Sequence, residues 1–195
     1  MIAIIDYGSG NVSSVKNSLD FLGVESKITS KPEEIGAADK IIFPGVGAFG
    51  YAMEQLAEKK LEGPIKNAIK NGKPFLGICL GLQLLFGESE ENPGVKGLGI
   101  FRGKSKKFSS GKTPQIGWNE IKPTKNGILR EGFMYFVNSY YVVPEDKGIV
   151  AAESIYGNRK FACAVENGNV MAVQFHAEKS GEFGLDFLRR WVDAR

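Results

Sequence analysis

The chain has 195 residues, and its 25 Lys plus Arg against 22 Asp plus Glu leave a net charge of +3. That length fits a single domain spanning residues 1–195, with a core large enough to need no disulfide or metal staple. The charge is small and dispersed, which leaves no basic footprint for nucleic acid, and two distant cysteines with one histidine exclude a paired-cysteine zinc site, so neither a metal nor a cofactor is expected.

In chain order, the first 90 residues alternate short apolar runs with helical patterns. IAII (2–5) reads as a buried strand, and VSSVKNSLDFLG as a helix with Val12, Val15, Leu19 and Leu22 on one stripe. VESKI (24–28) and KIIF (40–43) are the next strands, the latter ending at Pro44. AFGYAMEQLAEKKL and GPIKNAIKNG read as helices, PFLGI (74–78) as a fourth strand, and LGLQLLFGES as the start of a further helix. Strand–helix alternation with wholly apolar strands predicts an α/β fold, a mostly parallel central sheet flanked by helices.

From Gly94 to Val173 the pattern changes to short β-like segments: FRGKSKKF, GWNEI, FMYFVNSYYVV, IVAAESIY, KFACAVENG and VMAVQF. The turn pairs at 126–127, 157–158 and 166–169 predict hairpins, hence antiparallel strands added to the parallel core. EFGLDFLRRWVDAR closes the chain as a helix with Phe183, Phe187, Leu188 and Trp191 in an apolar stripe. No apolar run approaches the ~20 residues of a membrane span, and IAII is too short for a signal peptide. Reduced cysteines and a cytoplasmic location without membrane attachment are therefore expected.

Gly77-Ile78-Cys79-Leu80-Gly81 follows a strand and precedes a helix. This is the small–x–nucleophile–x–small pattern of a nucleophile elbow, with Cys in the nucleophile's place. A sharp strand-to-helix turn brings residues two positions away into contact, and glycines there remove the clashing Cβ atoms. The turn also sets the thiol at a helix N-terminus, where thiolate is favoured. Cys163, in alternating FACAV, reads as a core residue.

His176 ends the strand pattern VMAVQF, and Glu178 stands two positions on. In extended chain those side chains share a face, so Glu178 can hold one ring nitrogen and leave the other free as a base. Both elements end a strand, and a parallel sheet gathers such ends at one edge. Gly45-Val46-Gly47-Ala48-Phe49-Gly50 spells G-x-G-x-x-G. It follows the third strand and has no acidic residue about 20 positions on, which argues against a dinucleotide. It reads instead as a loop offering backbone N–H groups to an oxyanion beside Cys79. Gly8-Ser9-Gly10-Asn11 lacks the Lys-Ser/Thr of a phosphate loop.

GICLGLQLLF around Cys79, PGVGAF before it and QFHAEKS around His176 resemble the class I, triad-type glutamine amidotransferases, and the similarity runs along the whole chain. Within that family, IDYGSGN (5–11) and PQIGWN (114–119) resemble the subunits that pass ammonia to a (β/α)₈-barrel cyclase in histidine biosynthesis. The resemblance implies an enzyme of the class I glutamine amidotransferase fold that hydrolyses glutamine and works as a heterodimer. It implies Cys79 as nucleophile, His176 as general base and acid, and Glu178 as its orienter. Backbone N–H groups of Val46 and Leu80 would form the oxyanion hole, while Gly47, Gln83 and the backbone at Ser139 and Tyr140 would hold glutamine. Asn11, Trp118, Tyr135 and Lys179 would lie at or near the partner. The chain departs from the family in carrying Ala177 where Pro is usual between the triad His and Glu, and Asn138 where His often precedes Ser-Tyr. Those departures leave a paralogue open, a glutaminase subunit feeding ammonia to a surface-sugar amidotransferase.

Overall fold

The apolar runs of the first half become a parallel sheet. β1 (Ile2–Ile5), β2 (Ser26–Thr29), β3 (Lys40–Gly45) and β4 (Phe75–Cys79) pair in the order β2-β1-β3-β4. The computed structural model describes residues 1–8 and 10–194, so Ser9 of the Gly8–Asn11 loop lies outside the described residues. Parallel neighbours need a crossover, and each crossover here carries a helix. These are α1 (Val12–Phe21), α2 (Pro32–Ala37) and the pair α3 (Phe49–Glu58) and α4 (Glu62–Lys70). After β4 come α5 (Leu80–Leu84), β5 (Phe86–Ser89), β6 (Phe101–Lys107), β7 (Gln115–Pro123), β8 (Gly132–Asn138) and β9 (Tyr140–Pro144). The chain ends with β10 (Val150–Tyr156), β11 (Arg159–Asn167), β12 (Val170–Val173) and α6 (Gly181–Asp193).

β12 returns to lie parallel to β4, and the sheet continues antiparallel through β11, β10, β7 and β8. β5, β6 and β9 form a side branch attached to β11. Successive strand residues face opposite sides, so alternation divides the apolar residues between two cores. Ile2, Ile4, Ile42, Leu76, Ile78 and Val173 join α1 and α6 on one face. Ile5, Ile41, Phe43, Phe75 and Ala172 meet residues of α2 through α5 on the other. Phe187, Leu188 and Trp191 of α6 are buried as expected, with Phe183 packed at the margin.

Several boundaries differ from the sequence reading. β3 runs past Phe43, because pairing with β4 continues through Pro44↔Ile78 to Gly45↔Cys79 and outweighs the one N–H donor that proline lacks. LGLQLLFGES yields only the short α5, since Phe86 leaves the helix to stack on Phe101 at 5.6 Å and the segment pairs with β6. FMYFVNSYYVV divides at Ser139 because β8 pairs with β7 and β9 with β6. Two-residue turns close Tyr156↔Arg159 and Asn167↔Val170, with Gly157 and Gly168 at positive φ. The 126–127 pair makes no such turn: it lies in the longer 124–131 connection. α2, which the reading did not mark, opens with Pro32 and carries Glu33 and Glu34 in its first turn, where carboxylates suit the helix dipole.

The turn from β4 into α5 brings backbone segments into close approach. A Cβ on Gly81 would lie 1.9 Å from the Phe43 carbonyl oxygen, and one on Gly77 would lie 3.2 Å from the Gly81 carbonyl carbon. Gly81 thus relieves an outright clash, with β3 and not with the elbow itself, while Gly77 relieves a tight contact with Gly81. Gly81→Ala must displace backbone of β3 or α5, so urea unfolding should show a loss of about 1–3 kcal/mol. Gly63→Ala in α4, where a Cβ meets nothing within 4 Å, should instead gain roughly 0.5–1 kcal/mol in the same measurement.

Candidate active site

Cys79 is the last residue of β4 and the cap residue of α5, with φ 55° and ψ −108°. A non-glycine residue in that conformation is strained, and such strain persists where the surroundings over-determine it. Gly77 and Gly81 permit the turn, and β3 and β12 on either side of β4 hold it. The sulfur is nearly buried. It lies 3.8 Å from the Val137 carbonyl oxygen, to which the thiol donates, and 3.7 Å from Gln174 Nε2.

His176 follows β12, the parallel neighbour of β4, so both residues emerge at the same sheet edge. The His176 N–H donates to the Tyr135 carbonyl at 2.9 Å, and its carbonyl accepts from Ser180 Oγ at 2.6 Å. Its Nδ1 lies 2.6 Å from Glu178 Oε1, with both side chains out of solvent. The route to this pairing differs from the expected one. Residues 177–179 form a 3₁₀ turn, not extended chain, and that turn folds Glu178 back onto the ring. Ala177 is buried in the turn, so the position where proline is usual is filled without it. Burial opposes a charge on His176, but the facing Cys79 sulfur and then the Glu178 carboxylate outweigh it and raise the imidazole pKa from 6.5 to about 10. The surroundings thus favour the protonated ring.

Asn11, expected toward the partner, is only 4 % exposed. Its Nδ2 donates to Glu178 Oε1 at 2.5 Å and lies 3.3 Å from His176 Nδ1. Its amide is spent on the His176–Glu178 pair, so its side chain is turned inward. Glu178 Oε2 is buried with no hydrogen-bond partner among the described residues.

Cys79 and His176 open on a cleft of about 290 Å³ that Val46, Gly47, Leu80, Gln83, Ser139 and Tyr140 also line, together with Lys179. Glu178 stands behind His176, outside the lining. Trp118 is 57 % exposed on β7 and meets Tyr135 of β8 edge-on, ring centroids 6.0 Å apart. Further residues at the cleft were given no role by the sequence. Glu91 comes from the β5–β6 connection, where its Oε2 also accepts from the Phe49 N–H at the start of α3. Pro114 and Val137 complete the wall. Gln174 lies beneath it, bonded to both Gln83 and Cys79. Asn138, noted only as a departure, lines the cleft and donates to the Tyr140 carbonyl at 2.9 Å. Cys163 is fully buried in β11, which pushes its thiol pKa up and leaves it inert.

Comparison with known proteins agrees with this geometry. The family model described as "Glutamine amidotransferase class-I" matches residues 3–193. The "Imidazole glycerol phosphate synthase subunit HisH" of Chlorobaculum tepidum is 43% identical over 99% of this chain and all of that protein. The protein of the same name from Pyrococcus furiosus is 48% identical over 97% of both. Among solved structures, a glutamine amidotransferase superposes with a TM-score of 0.79 at 21% identity, covering 98% of this chain and all of that one. PurLQS from Thermotoga maritima matches at 0.79 and 20%, over 98% of this chain and 97% of that one, and both likenesses speak for the fold alone. With the family model spanning nearly every residue and close relatives matched end to end, the chain belongs to the class-I glutamine amidotransferases.

Proposed function

We propose that the chain is the glutaminase subunit of imidazole glycerol phosphate synthase, with Cys79, His176 and Glu178 as its catalytic triad. One observation carries the assignment of the triad: a cysteine on a strained elbow shares a cleft with a histidine whose Nδ1 sits 2.6 Å from a buried carboxylate. Cys79 attacks the side-chain amide carbon of glutamine, forming a C–S bond and a tetrahedral oxyanion. The N–H groups of Val46 and Leu80, residues that flank the sulfur in the cleft, stabilise that charge. His176 gives its proton to the nitrogen, the C–N bond breaks, and ammonia leaves. Water that surrenders a proton to His176 then hydrolyses the thioester to glutamate and restores the thiol. Gly47, Gln83 and the backbone at Ser139 and Tyr140 hold the substrate, and Glu91 supplies a carboxylate suited to its α-ammonium group.

Ammonia protonates near neutral pH and loses its nucleophilicity, which favours transfer to a partner over release. The partner in this reading is a (β/α)₈-barrel cyclase, and its docking face is the β7–β8 ribbon. The register Ile116↔Val137, Trp118↔Tyr135, Glu120↔Phe133 puts Ile116, Trp118, Phe133, Tyr135 and Val137 on one side. Ile116 and Phe133 are 63 % and 58 % exposed, an apolar patch that begins at the cleft wall. The exposed Lys179 stands at the same rim. Full-length relatives bearing the synthase subunit's name support the histidine pathway over a surface-sugar role. The whole of 1–195 acts as one catalytic unit, and the two free cysteines suit the cytoplasm.

The reading is tested by glutamine turnover, low for the chain alone and raised by adding the cyclase with its ligand. Cys79→Ala should remove turnover, and a diazo-oxo-norleucine adduct should map to Cys79 by mass spectrometry. Turnover that persists in Cys79→Ala overturns the assignment. Glu178→Gln removes a group that raises the His176 pKa, so the imidazolium is lost at lower pH. The alkaline limb of kcat/KM should move toward neutrality and kcat should fall about 10²-fold. Trp118→Ala should leave basal turnover intact while weakening cyclase binding roughly 30-fold in calorimetry, as for a central aromatic anchor.

A further inference from the structure

We propose that Gln174 is a hydrogen-bond donor to the nucleophile, the last link of an amide relay in which Gln83 donates both to the Tyr140 carbonyl and to Gln174, and Gln174 donates to Cys79. The inference rests on the reading of Cys79 as nucleophile.

Gln174 has no solvent exposure, and its backbone N–H is fixed to the Cys163 carbonyl at 2.8 Å. Gln83 Nε2 lies 3.3 Å from the Tyr140 carbonyl oxygen and 3.2 Å from Gln174 Oε1. Gln174 Nε2 lies 3.7 Å from Cys79 Sγ. The direction of the relay follows from its first member. A backbone carbonyl can only accept, so the Gln83 atom facing Tyr140 is the amide nitrogen. That same nitrogen faces Gln174, whose near atom must then be oxygen. The far atom of Gln174 is therefore its NH₂, aimed at the sulfur. Flipping either amide sets two like groups against each other in a buried site, where an unmade bond is costly. Asn138 Nδ2 also donates to the Tyr140 carbonyl, which anchors the acceptor end.

A hydrogen bond to an ionised acceptor is stronger than one to its neutral form, so this donor favours thiolate over thiol. The thiol's own bond to the Val137 carbonyl favours the protonated form, and Gln174 opposes it. Gln83 and Tyr140 line the cleft, so the relay joins the wall that holds glutamine to the atom that attacks it. The other titratable groups facing Cys79 are His176, with Glu178 behind it, and Glu91, Tyr140 and Lys179 across the cleft. All of these stay unaltered in the test.

The test is the rate of iodoacetamide alkylation of Cys79 against pH, in the full chain and in Gln174→Leu and Gln174→Glu. Cys163 is fully buried and stays silent. Leu fills the space without a donor, and Glu turns donor into acceptor. The profile should move to higher pH in Gln174→Leu and further in Gln174→Glu, with kcat for glutamine down about 10-fold in the former and KM within about 3-fold. A packing role predicts no such order. Superimposed profiles in folded variants overturn the proposal. Should the variants fail to fold, side-chain ¹⁵N–¹H resonances of Gln174 in the unsubstituted chain decide. They should titrate with pH there and stay fixed in Cys79→Ser; identical behaviour in both overturns it. Failure of the nucleophile reading looks different, as turnover in Cys79→Ala and no analogue adduct on Cys79.

Discussion

The approach of Gly81 to the Phe43 carbonyl is the constraint on which the site depends. Because no side chain stands there, α5 can begin against the end of β3 directly after β4 stops. The chain turns at Cys79, whose φ of 55° is paid for by the packing of both neighbouring strands. Once the turn is fixed, the sulfur has one direction to point. The parallel pairing Ile78↔Val173 then decides what it meets, since the chain beyond β12 emerges at the same edge and carries Gln174 and His176 to it.

The electrostatics of the site follow from burial. A solvated imidazole beside a solvated carboxylate gains little, whereas here both side chains are withdrawn from water and one carboxylate oxygen serves both His176 Nδ1 and Asn11 Nδ2. Asn11 can donate but cannot carry charge, so it stabilises the carboxylate without competing for its proton. The same environment that penalises charge on His176 therefore strengthens the two attractions that restore it.

Local sterics and periodicity were readable from the chain. The five-residue elbow carries its own clash relief, and wholly apolar strands announce a covered parallel sheet. His176 with Glu178 was also readable, although the pairing arises through a 3₁₀ turn and not an extended strand end. Partners distant in sequence were not readable. Asn11 lies 165 positions from His176, and Gln174 lies 95 from Cys79, so only the folded sheet edge brings them together. Glu91 reaches the cleft because its connection is tied to the start of α3, a contact that composition does not encode. The shortened α5 shows pairing of β5 with β6 overriding a helical pattern.

β8 links the apolar face to the chemistry. The carbonyl of Tyr135 receives the His176 N–H, and that of Val137 receives the Cys79 thiol, while their side chains stand on the face shared with Trp118 and Ile116. Moving the Val137 carbonyl away from the sulfur removes the bond that favours the protonated thiol. The Gln174 donor is held instead by Cys163 and Gln83. The Val137 carbonyl and the Gln174 amide thus act on the sulfur in opposite senses, beside His176, and of these two only the carbonyl belongs to a strand with an exposed face.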